Sequence, residues 1–270
     1  MKIAIVGAGK MGRWFTRLFR REGYQVVVSD KNRANLSRIE DEPHVRIGDT
    51  KQAIREAHWI LICVPISNFE EALEEIGSQV TANQTVMDIC SIKDSPVKSM
   101  HKYIKTGTIL GTHPMFGPTA RSIKHQRFIL TPTNAREREF AKTFKRWLEE
   151  RQARVTILTP KKHDELMSLV LGLPHFLSVA IGHTLLSYAD AMGSTDVAGP
   201  SYKKLLAQVK AAASQDPEFY SNLQMRLPKA VEIEALFCHQ AQNLLEFVKQ
   251  KDETAFARKM RALQTCSERL

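Results

Sequence analysis

A glycine-rich turn near the start of the chain constrains the fold more than any other feature. The sequence G-x-G-x-x-G at residues 7–12 directly follows a short apolar run, Lys2–Val6, and precedes apolar residues repeated at helical spacing. A second apolar run, Gln25–Ser29, then ends at Asp30. Strand, turn, helix and strand in this order predict a βαβ unit with parallel strands.

The chemistry of this turn suits a dinucleotide. Glycines at this spacing allow a tight turn and a close approach of the backbone to a pyrophosphate, and the helix N-terminus attracts the phosphates. Asp30 lies where a carboxylate accepts hydrogen bonds from ribose hydroxyls, which favours NAD over NADP because a 2′-phosphate would face negative charge. Lys31 and Arg33 would soften that preference, and a glycine turn without a ligand is the alternative. The predicted cofactor-binding residues here are Gly7, Ala8, Gly9, Lys10, Met11, Gly12 and Asp30.

The first 160 residues alternate between strand and helix patterns. Further apolar runs predict strands at 59–64, 85–89, 108–111, 128–131 and 155–157. Helical patterns separate them, among them 68–76 and 136–151. We therefore expect an α/β fold in which residues 1–160 form a Rossmann domain with a doubly wound, mostly parallel sheet.

After residue 160 the strand-like runs give way to amphipathic helical patterns. The predicted helices span 163–192, 202–214, 228–249 and 253–267. Pro217 and Pro228 suit the first turn of a helix. Because one thin layer of helices cannot bury all of these apolar faces, we expect residues 161–270 to form an all-helical domain that pairs with a second subunit.

Composition narrows the class of protein. Hydrophobic residues at 43% and charged residues at 25% are typical of a folded globular chain. No uninterrupted apolar run approaches the ~18–20 residues of a membrane span, and the chain begins with a strand and not with a signal peptide. We therefore expect a protein that neither crosses a membrane nor enters the secretory route.

Cysteine content and charge point to a cytoplasmic protein with an anionic ligand. The four cysteines are widely separated and form no metal-ligand spacing with histidine, so we expect neither a disulfide framework nor a metal site. The net charge is +10, from 39 Lys and Arg against 29 Asp and Glu. Because the basic residues are scattered without interleaved aromatics, a small anionic metabolite is expected rather than nucleic acid.

A second group of reactive residues follows the predicted strand 108–111. Ligands of open α/β sheets bind beyond the carboxyl ends of the strands, so His113 is expected in the crevice that holds the nicotinamide. An imidazole is a suitable base for a hydroxyl proton near neutral pH. Ser91, after the strand 85–89, is expected to hydrogen-bond to this ring or to the substrate hydroxyl. From the residues alone, a structural histidine in a proline-rich turn and a helix-capping serine are equally open.

Motifs along nearly the whole chain resemble those of the prephenate dehydrogenase family, which includes arogenate and cyclohexadienyl dehydrogenases. They are GAGKMG at 7–12, ICVP at 62–65, DICSIK at 88–93, THPMFGP at 112–118, the pair His163-Asp164, LPHF at 173–176 and SQDPEFY at 214–220. THPMFGP after DICSIK is the most specific part. Since no chorismate mutase segment precedes the first strand and no regulatory domain follows residue 270, we expect the minimal, monofunctional form.

The resemblance implies a Rossmann domain followed by a helical domain that forms a homodimer. It also implies a reaction of tyrosine biosynthesis, the oxidative decarboxylation of prephenate to 4-hydroxyphenylpyruvate, in which NAD accepts a hydride from the ring carbon that bears the hydroxyl. His113 matches the catalytic histidine and Ser91 its partner serine. Val64 and Pro65 match cofactor-binding positions, and His175 matches a histidine of the substrate pocket.

One position departs from the family pattern. Six residues before Pro217, where the family usually carries an arginine for a substrate carboxylate, this chain has Ala211. Lys210 is adjacent, but neighbouring helical residues point about 100° apart. Lys203, two turns before Lys210 on the same face, is the better-placed substitute, although lysine lacks the bidentate fork of arginine. For both lysines a solvated helix face is equally open.

The substrate is therefore less sharply predicted than the fold. Prephenate is the leading expectation, and arogenate, another 2-hydroxy acid or an imine are alternatives because of Ala211. From a different class, the chain could be a non-catalytic NAD-binding sensor. The intact pair of His113 and Ser91 favours an enzyme.

Overall fold

The structure is a computed structural model, and it describes residues 1–39, 43–188 and 198–266. The chain divides into two compact units, the first comprising residues 1–167 and 215–227, and the second 168–214 and 228–270. The first unit thus runs seven residues past the boundary expected at residue 160 and takes in a later segment. The expected boundary itself stays a prediction.

The first unit contains one eight-stranded sheet. Its strands are β1 (Lys2–Val6), β2 (Gln25–Ser29), β3 (Val45–Ile47), β4 (Trp59–Ile62), β5 (Thr85–Asp88), β6 (Thr108–Pro114), β7 (Arg127–Thr131) and β8 (Arg154–Ile157). The order is β3-β2-β1-β4-β5-β6-β7-β8, and every neighbouring pair is parallel except the antiparallel pair β6 and β7. The prediction of a doubly wound, mostly parallel sheet is confirmed.

Helices cover the faces of the sheet and, with turns and loops between them, make up the rest of the described chain. They are α1 (Lys10–Arg21), α2 (Arg33–Leu36), α3 (Thr50–Glu56), α4 (Phe69–Gly77), α5 (Asp94–Tyr103), α6 (Ala135–Glu149), α7 (Pro160–Met167), α8 (Leu173–Leu186), α9 (Pro200–Ala213), α10 (Pro217–Arg226), α11 (Ala230–Gln250) and α12 (Glu253–Cys266). A π-helical segment, Ser168–Gly172, joins α7 to α8. The helix start expected at Pro228 is shifted to Ala230, and residues 189–192 and 267 of the predicted helices lie outside the described residues.

The core lies on both faces of the sheet. Along β1, Ile3 and Ile5 belong to one apolar cluster with Phe19 of α1, whereas Ala4 and Val6 belong to the cluster on the opposite face. Strands buried on both faces read as continuous apolar runs, which is the pattern that identified them in the sequence. Because the faces are covered by helices, the carboxyl ends of the strands are where this architecture holds a ligand.

The second unit is helical in its described residues. A Cβ added to Gly182 of α8 would lie 3.2 Å from Val209 of α9, so these two helices approach closely. Gln208 Nε2 donates to Ser178 Oγ at 3.1 Å across the same pair of helices. Large apolar side chains nevertheless stay exposed on this unit, namely Leu169, Val170, Val179, Leu186, Val231, Leu236, Leu244, Leu245, Val248, Phe256, Met260 and Leu263.

One helical stretch meets the length and composition of a membrane span. The continuous helix Pro160–Leu186 has 27 residues and contains a long apolar window. The sequence prediction concerns uninterrupted apolar runs, and this helix instead mixes its apolar residues with polar ones such as His175 and His183. Length and composition alone are weak support for a span, because helices of soluble proteins also meet this criterion.

Candidate functional site

The glycine-rich turn connects β1 to α1 at the carboxyl edge of the sheet. Gly7 has a φ of 101°, and a Cβ there would lie 2.9 Å from the backbone carbonyl of Cys63. A Cβ on Gly12 would lie 1.9 Å from the carbonyl oxygen of Gly7. At Gly9, the N-cap of α1, a Cβ would meet nothing within 4 Å. The turn thus needs Gly7 and Gly12 for its own packing, and Gly9 leaves open space beside the first amides of a helix, as a pyrophosphate requires.

A cleft of about 320 Å³ lies next to this turn. Its walls are the carboxyl ends of β1, β2 and β4 together with α4, and the predicted cofactor residues among them are Gly7, Gly9, Asp30, Val64 and Pro65. The other predicted residues support the turn instead: Ala8 is buried, Lys10 and Met11 begin α1, and Gly12 packs on Gly7. The residues present fit a dinucleotide, with a glycine cradle at one end and a carboxylate at the other.

Asp30 holds the end of β2 to the turn. Its Oδ2 accepts hydrogen bonds from the Ala8 amide at 2.6 Å and from Asn35 Nδ2 at 3.1 Å. Its Oδ1 accepts from the Asn32 amide at 2.7 Å. Since a carboxylate offers about four lone-pair sites, Oδ1 keeps room for a further donor such as a ribose hydroxyl.

Lys31 lies in the same cleft beside two glutamates of α4. Its Nζ donates to Glu71 at 2.7 Å and lies 3.6 Å from Glu75. The hydrogen bond to Glu71 is the main reason that the pKa of Lys31 is raised. The wall therefore carries the carboxylates of Asp30, Glu71 and Glu75 against the ammonium of Lys31. Lys31 thus already has two carboxylate partners in this wall.

His113 lies at the carboxyl end of β6 and is buried, with 4% of its surface exposed. Its Nδ1 lies 2.8 Å from Nε2 of His163 on α7. Burial lowers the pKa of His113 well below 6.5, and the nearby His163 and Lys93 lower it further. The ring is therefore held neutral at neutral pH, as a proton acceptor must be.

A carboxylate continues this chain of hydrogen bonds. His163 Nδ1 lies 2.7 Å from Oδ1 of Asp164, and both side chains are buried. Asp164 also accepts the backbone amides of Lys93 at 2.7 Å and of Asp94 at 2.9 Å, at the start of α5. The pKa of His163 is lowered, because burial outweighs the hydrogen bond to Asp164.

A buried ion pair ties the neighbouring strand ends together. The side chains of Lys93 and Asp88 are both fully buried and in direct contact. Lys93 Nζ also donates to the carbonyl of Thr112 at 2.6 Å. Asp88 accepts the amides of Cys90 at 2.9 Å and Thr112 at 3.2 Å. These bonds hold β5 and β6 together one residue before His113.

In the structure the side chain beside the His113 ring is His163. The sequence predicts Ser91 as a partner of this ring or of the substrate hydroxyl. Ser91 is half-buried three residues after β5, and among the described residues no hydrogen bond joins it to His113. The pair His163-Asp164 was visible as a motif in the sequence. Nothing in its spacing, however, indicates that it meets a ring fifty residues away.

The predicted substrate residues lie in the second unit. His175 is half-buried on α8, and burial lowers its pKa. Lys203 and Lys210 are exposed on α9, and neither ammonium forms an ion pair with the residues that the structure describes. Because His113 belongs to the first unit, it stays a prediction that these three residues share one site with it. Over residues 1–39, 43–188 and 198–266, no group of three His, Cys, Asp or Glu side chains could hold a metal ion.

Two family models match the chain and together cover most of it. The model described as "Prephenate dehydrogenase, nucleotide-binding domain" matches residues 15–165. The model described as "Prephenate dehydrogenase, dimerization domain" matches residues 159–262. The two matches overlap at residues 159–165.

Two curated relatives align with nearly the whole chain. A "Probable arogenate/prephenate dehydrogenase" of Methanocaldococcus jannaschii is 32% identical over 97% of this chain and 60% of its own length. A "T-protein" of Enterobacter agglomerans is 26% identical over 94% of this chain and 64% of its own length. The chain thus spans about three-fifths of the length of these relatives.

Solved structures share the fold. Prephenate dehydrogenase from A. aeolicus, in complex with hydroxyphenyl propionate and NAD+, has a TM-score of 0.82 at 20% identity, over 100% of this chain and 98% of that one. Synechocystis arogenate dehydrogenase has a TM-score of 0.76 at 17% identity, over 100% and 99%. With family models matching both halves, this chain belongs to the prephenate dehydrogenase family.

Proposed function

We propose that this chain is an NAD-dependent dehydrogenase that converts prephenate to 4-hydroxyphenylpyruvate by oxidative decarboxylation. The observation that carries the proposal is the buried, neutral His113 at the carboxyl edge of a sheet whose glycine turn suits a dinucleotide. Membership of the family supports an oxidoreductase of aromatic amino acid biosynthesis, and the relatives' names include both prephenate and arogenate. Prephenate is proposed as the substrate because the resemblance carried by THPMFGP and DICSIK implies the prephenate reaction.

His113 is proposed as the base for the substrate hydroxyl. NAD, when bound, accepts the hydride from the ring carbon that bears this hydroxyl. His113 Nδ1 faces His163, so Nε2 is the nitrogen available for the hydroxyl proton. Loss of the ring carboxylate as carbon dioxide then yields an aromatic product, which makes the step favourable once the hydride is transferred. The protein's main tasks are therefore to orient the ring and to take a proton in a dry site. Ser91 is proposed to contact the substrate hydroxyl.

The acidic wall of the cleft supports NAD rather than NADP. A 2′-phosphate placed near Asp30 would face Glu71 and Glu75 as well, while Lys31 is already paired with both glutamates. With three carboxylates and one ammonium on this wall, the net negative charge disfavours a 2′-phosphate. NADP is the less favoured alternative.

Arogenate is the second candidate substrate. Arogenate carries an amino group where prephenate carries a keto group, so the two differ at the side chain beside a carboxylate. Ala211 stands where an arginine was expected for a carboxylate, which removes one strong determinant of recognition. We propose that His175 contacts the substrate ring and that Lys203 or Lys210 contacts a carboxylate. The exposed ammonium groups of both lysines support this assignment.

We also propose that the enzyme is a cytoplasmic homodimer formed through its helical half. The exposed apolar side chains of α8, α11 and α12 support a partner subunit, as does a matching family model described as a dimerization domain. The four cysteines are free thiols, which suits a reducing compartment.

A Leu236→Glu substitution is expected to yield monomers in sedimentation experiments without detergent. Dimers that persist in this variant would contradict an interface at α11.

Turnover assays with purified protein test the proposed function. NADH formation is measured with prephenate and, separately, with arogenate, each with NAD and with NADP. We expect turnover with prephenate and NAD, and a loss of at least about 100-fold in His113→Asn with NAD binding retained. His125→Asn, at an exposed loop position, serves as the control and should match the wild type. Unchanged turnover in His113→Asn would overturn the role of His113. Measurable NAD binding without turnover of either substrate would favour the sensor.

A further inference from the structure

We propose that Asp164 and His163 fix the tautomer of His113, so that its Nδ1 carries the hydrogen and its Nε2 presents a lone pair. The pair would act as positioning residues rather than catalytic ones, because each works through another side chain. The inference rests on the proposed function for the catalytic value of this tautomer. The tautomer itself is a property of the protein without substrate.

The direction of each hydrogen bond follows from the carboxylate end. An ionised carboxylate only accepts hydrogen bonds, so the nitrogen 2.7 Å from Asp164 Oδ1 must carry a hydrogen. That nitrogen is His163 Nδ1, and in a neutral imidazole the other nitrogen is then an acceptor. His163 Nε2 lies 2.8 Å from His113 Nδ1, which must therefore be the donor. The remaining nitrogen, His113 Nε2, keeps its lone pair.

Hydrogen-bond donors surround the carboxylate of Asp164. Two backbone amides, from Lys93 and Asp94, donate to its two oxygens at 2.7 and 2.9 Å. Asp94 is the first residue of the ten-residue helix α5, so the carboxylate also meets the positive end of a helix dipole. Three donors converge on this group, and a protonated carboxyl would lose part of that arrangement.

The surroundings of the two histidines favour neutral rings. Both are buried, and the buried ammonium of Lys93 adds positive charge nearby. Burial is the main cause that lowers the pKa of both rings, and at His163 it outweighs the carboxylates of Asp164 and Asp88, which act in the opposite direction. Neutral rings allow one hydrogen in each bond of the chain, and that single arrangement selects the tautomer of His113.

Two substitutions of His163 distinguish a hydrogen-bond relay, in which Asp164 acts on His113 through His163, from a role of His163 in packing alone. His163→Leu fills similar space but offers neither donor nor acceptor. His163→Gln carries an amide whose NH₂ reaches toward Asp164 while its oxygen accepts from His113, so one group replaces both functions of the ring. We expect kcat to fall about 100-fold in His163→Leu with the KM for NAD within about 2-fold, and to recover at least about 10-fold in His163→Gln. A purely structural role would not predict this recovery.

Nitrogen NMR reads the tautomer without any turnover. The protein is labelled with ¹⁵N-histidine, and the His113 signals are identified by their loss in His113→Asn. We expect the wild type and His163→Gln to carry the hydrogen on Nδ1 of His113, and His163→Leu to lose this preference. Thermal unfolding of each variant verifies that it is folded.

The two proposals fail in different ways. A wild-type protein that does not turn over prephenate with NAD would overturn the proposed function, and unchanged turnover in His113→Asn would overturn the role of His113, whatever the NMR spectra contain. A hydrogen on Nε2 of His113 in the wild type, or a His163→Leu variant with the wild-type tautomer, would overturn the relay whatever the turnover. If His163→Leu does not fold, then a His163→Gln variant with Nε2 protonated at His113 would contradict the relay equally.

Discussion

A Lys93→Met substitution leaves a buried carboxylate without its ammonium partner. Methionine has a similar length and fills the space of the lysine stem, so the change mainly removes charge. Asp88 and Lys93 are both fully buried and in contact, and Lys93 also holds the carbonyl of Thr112 at 2.6 Å. The substitution thus tests how strongly this ion pair stabilises the strand ends beside His113.

The expected loss in the free energy of unfolding depends on the hydrogen bonds that Asp88 keeps. Breaking a buried ion pair by removing one partner costs about 3–5 kcal/mol. Asp88 keeps the amides of Cys90 at 2.9 Å and Thr112 at 3.2 Å, so we place the loss at the lower end, about 3 kcal/mol. For a chain of this size that corresponds to a fall in Tm of roughly 6–12 °C.

Urea unfolding followed by circular dichroism, at one protein concentration for all variants, measures this loss. Lys98→Met is the matched control, because Lys98 pairs with Asp94 at 2.6 Å while 73% of the lysine side chain and 43% of the aspartate side chain are exposed. Its expected loss is below about 0.5 kcal/mol. The double variant Lys93→Met with Asp88→Asn buries no net charge and should recover at least about 1 kcal/mol. A Lys93→Met loss no larger than that of the control would refute the reasoning.

Three further predictions follow from the turn, the cleft and the buried histidine. Gly9→Ala should keep the wild-type Tm and weaken NAD binding in a titration, whereas Gly12→Ala should lower the Tm, because its Cβ would lie 1.9 Å from a backbone oxygen. The double variant Asp30→Ser with Glu71→Gln should raise the ratio of NADP to NAD affinity at least about 10-fold, and an unchanged ratio would contradict the acidic wall. Burial lowers the pKa of His113 below 6.5, so near this pH His113 binds a proton in the unfolded chain but not in the native protein. The free energy of unfolding should therefore fall as the pH drops below about 6.5. Urea titrations should find this fall smaller in His113→Asn.

Much of the sheet could be predicted because its strands are buried on both faces. β1 and β2 begin and end at the predicted residues, since a buried parallel strand is a continuous apolar run between clear breaks. β3 was missed because it has three residues, of which none is buried, so it leaves no apolar run. The expected end of β6 fell short of His113, because hydrogen bonds to β7 extend the strand to Pro114.

The site could be predicted only in part. The glycine turn and Asp30 are local in sequence, and the spacing of a βαβ unit fixes how they meet. The partner of His113 is not local: His163 reaches it from α7, and Asp164 also caps α5 through the amides of Lys93 and Asp94. Such contacts depend on how distant helices pack on the sheet, which no short-range pattern encodes. Ser91 is predicted from its place after a neighbouring strand and from the family resemblance, and its contact with the substrate hydroxyl stays a prediction.

The most direct test of the central claim measures NADH and carbon dioxide in the same reaction. Oxidative decarboxylation requires that each hydride transferred to NAD is matched by one carboxylate lost from the ring. With prephenate and NAD, we predict equal amounts of both products from the wild-type protein, and a loss of both in His113→Asn while NAD still binds. NADH without carbon dioxide, or neither product from a wild-type protein that binds NAD, would contradict the account.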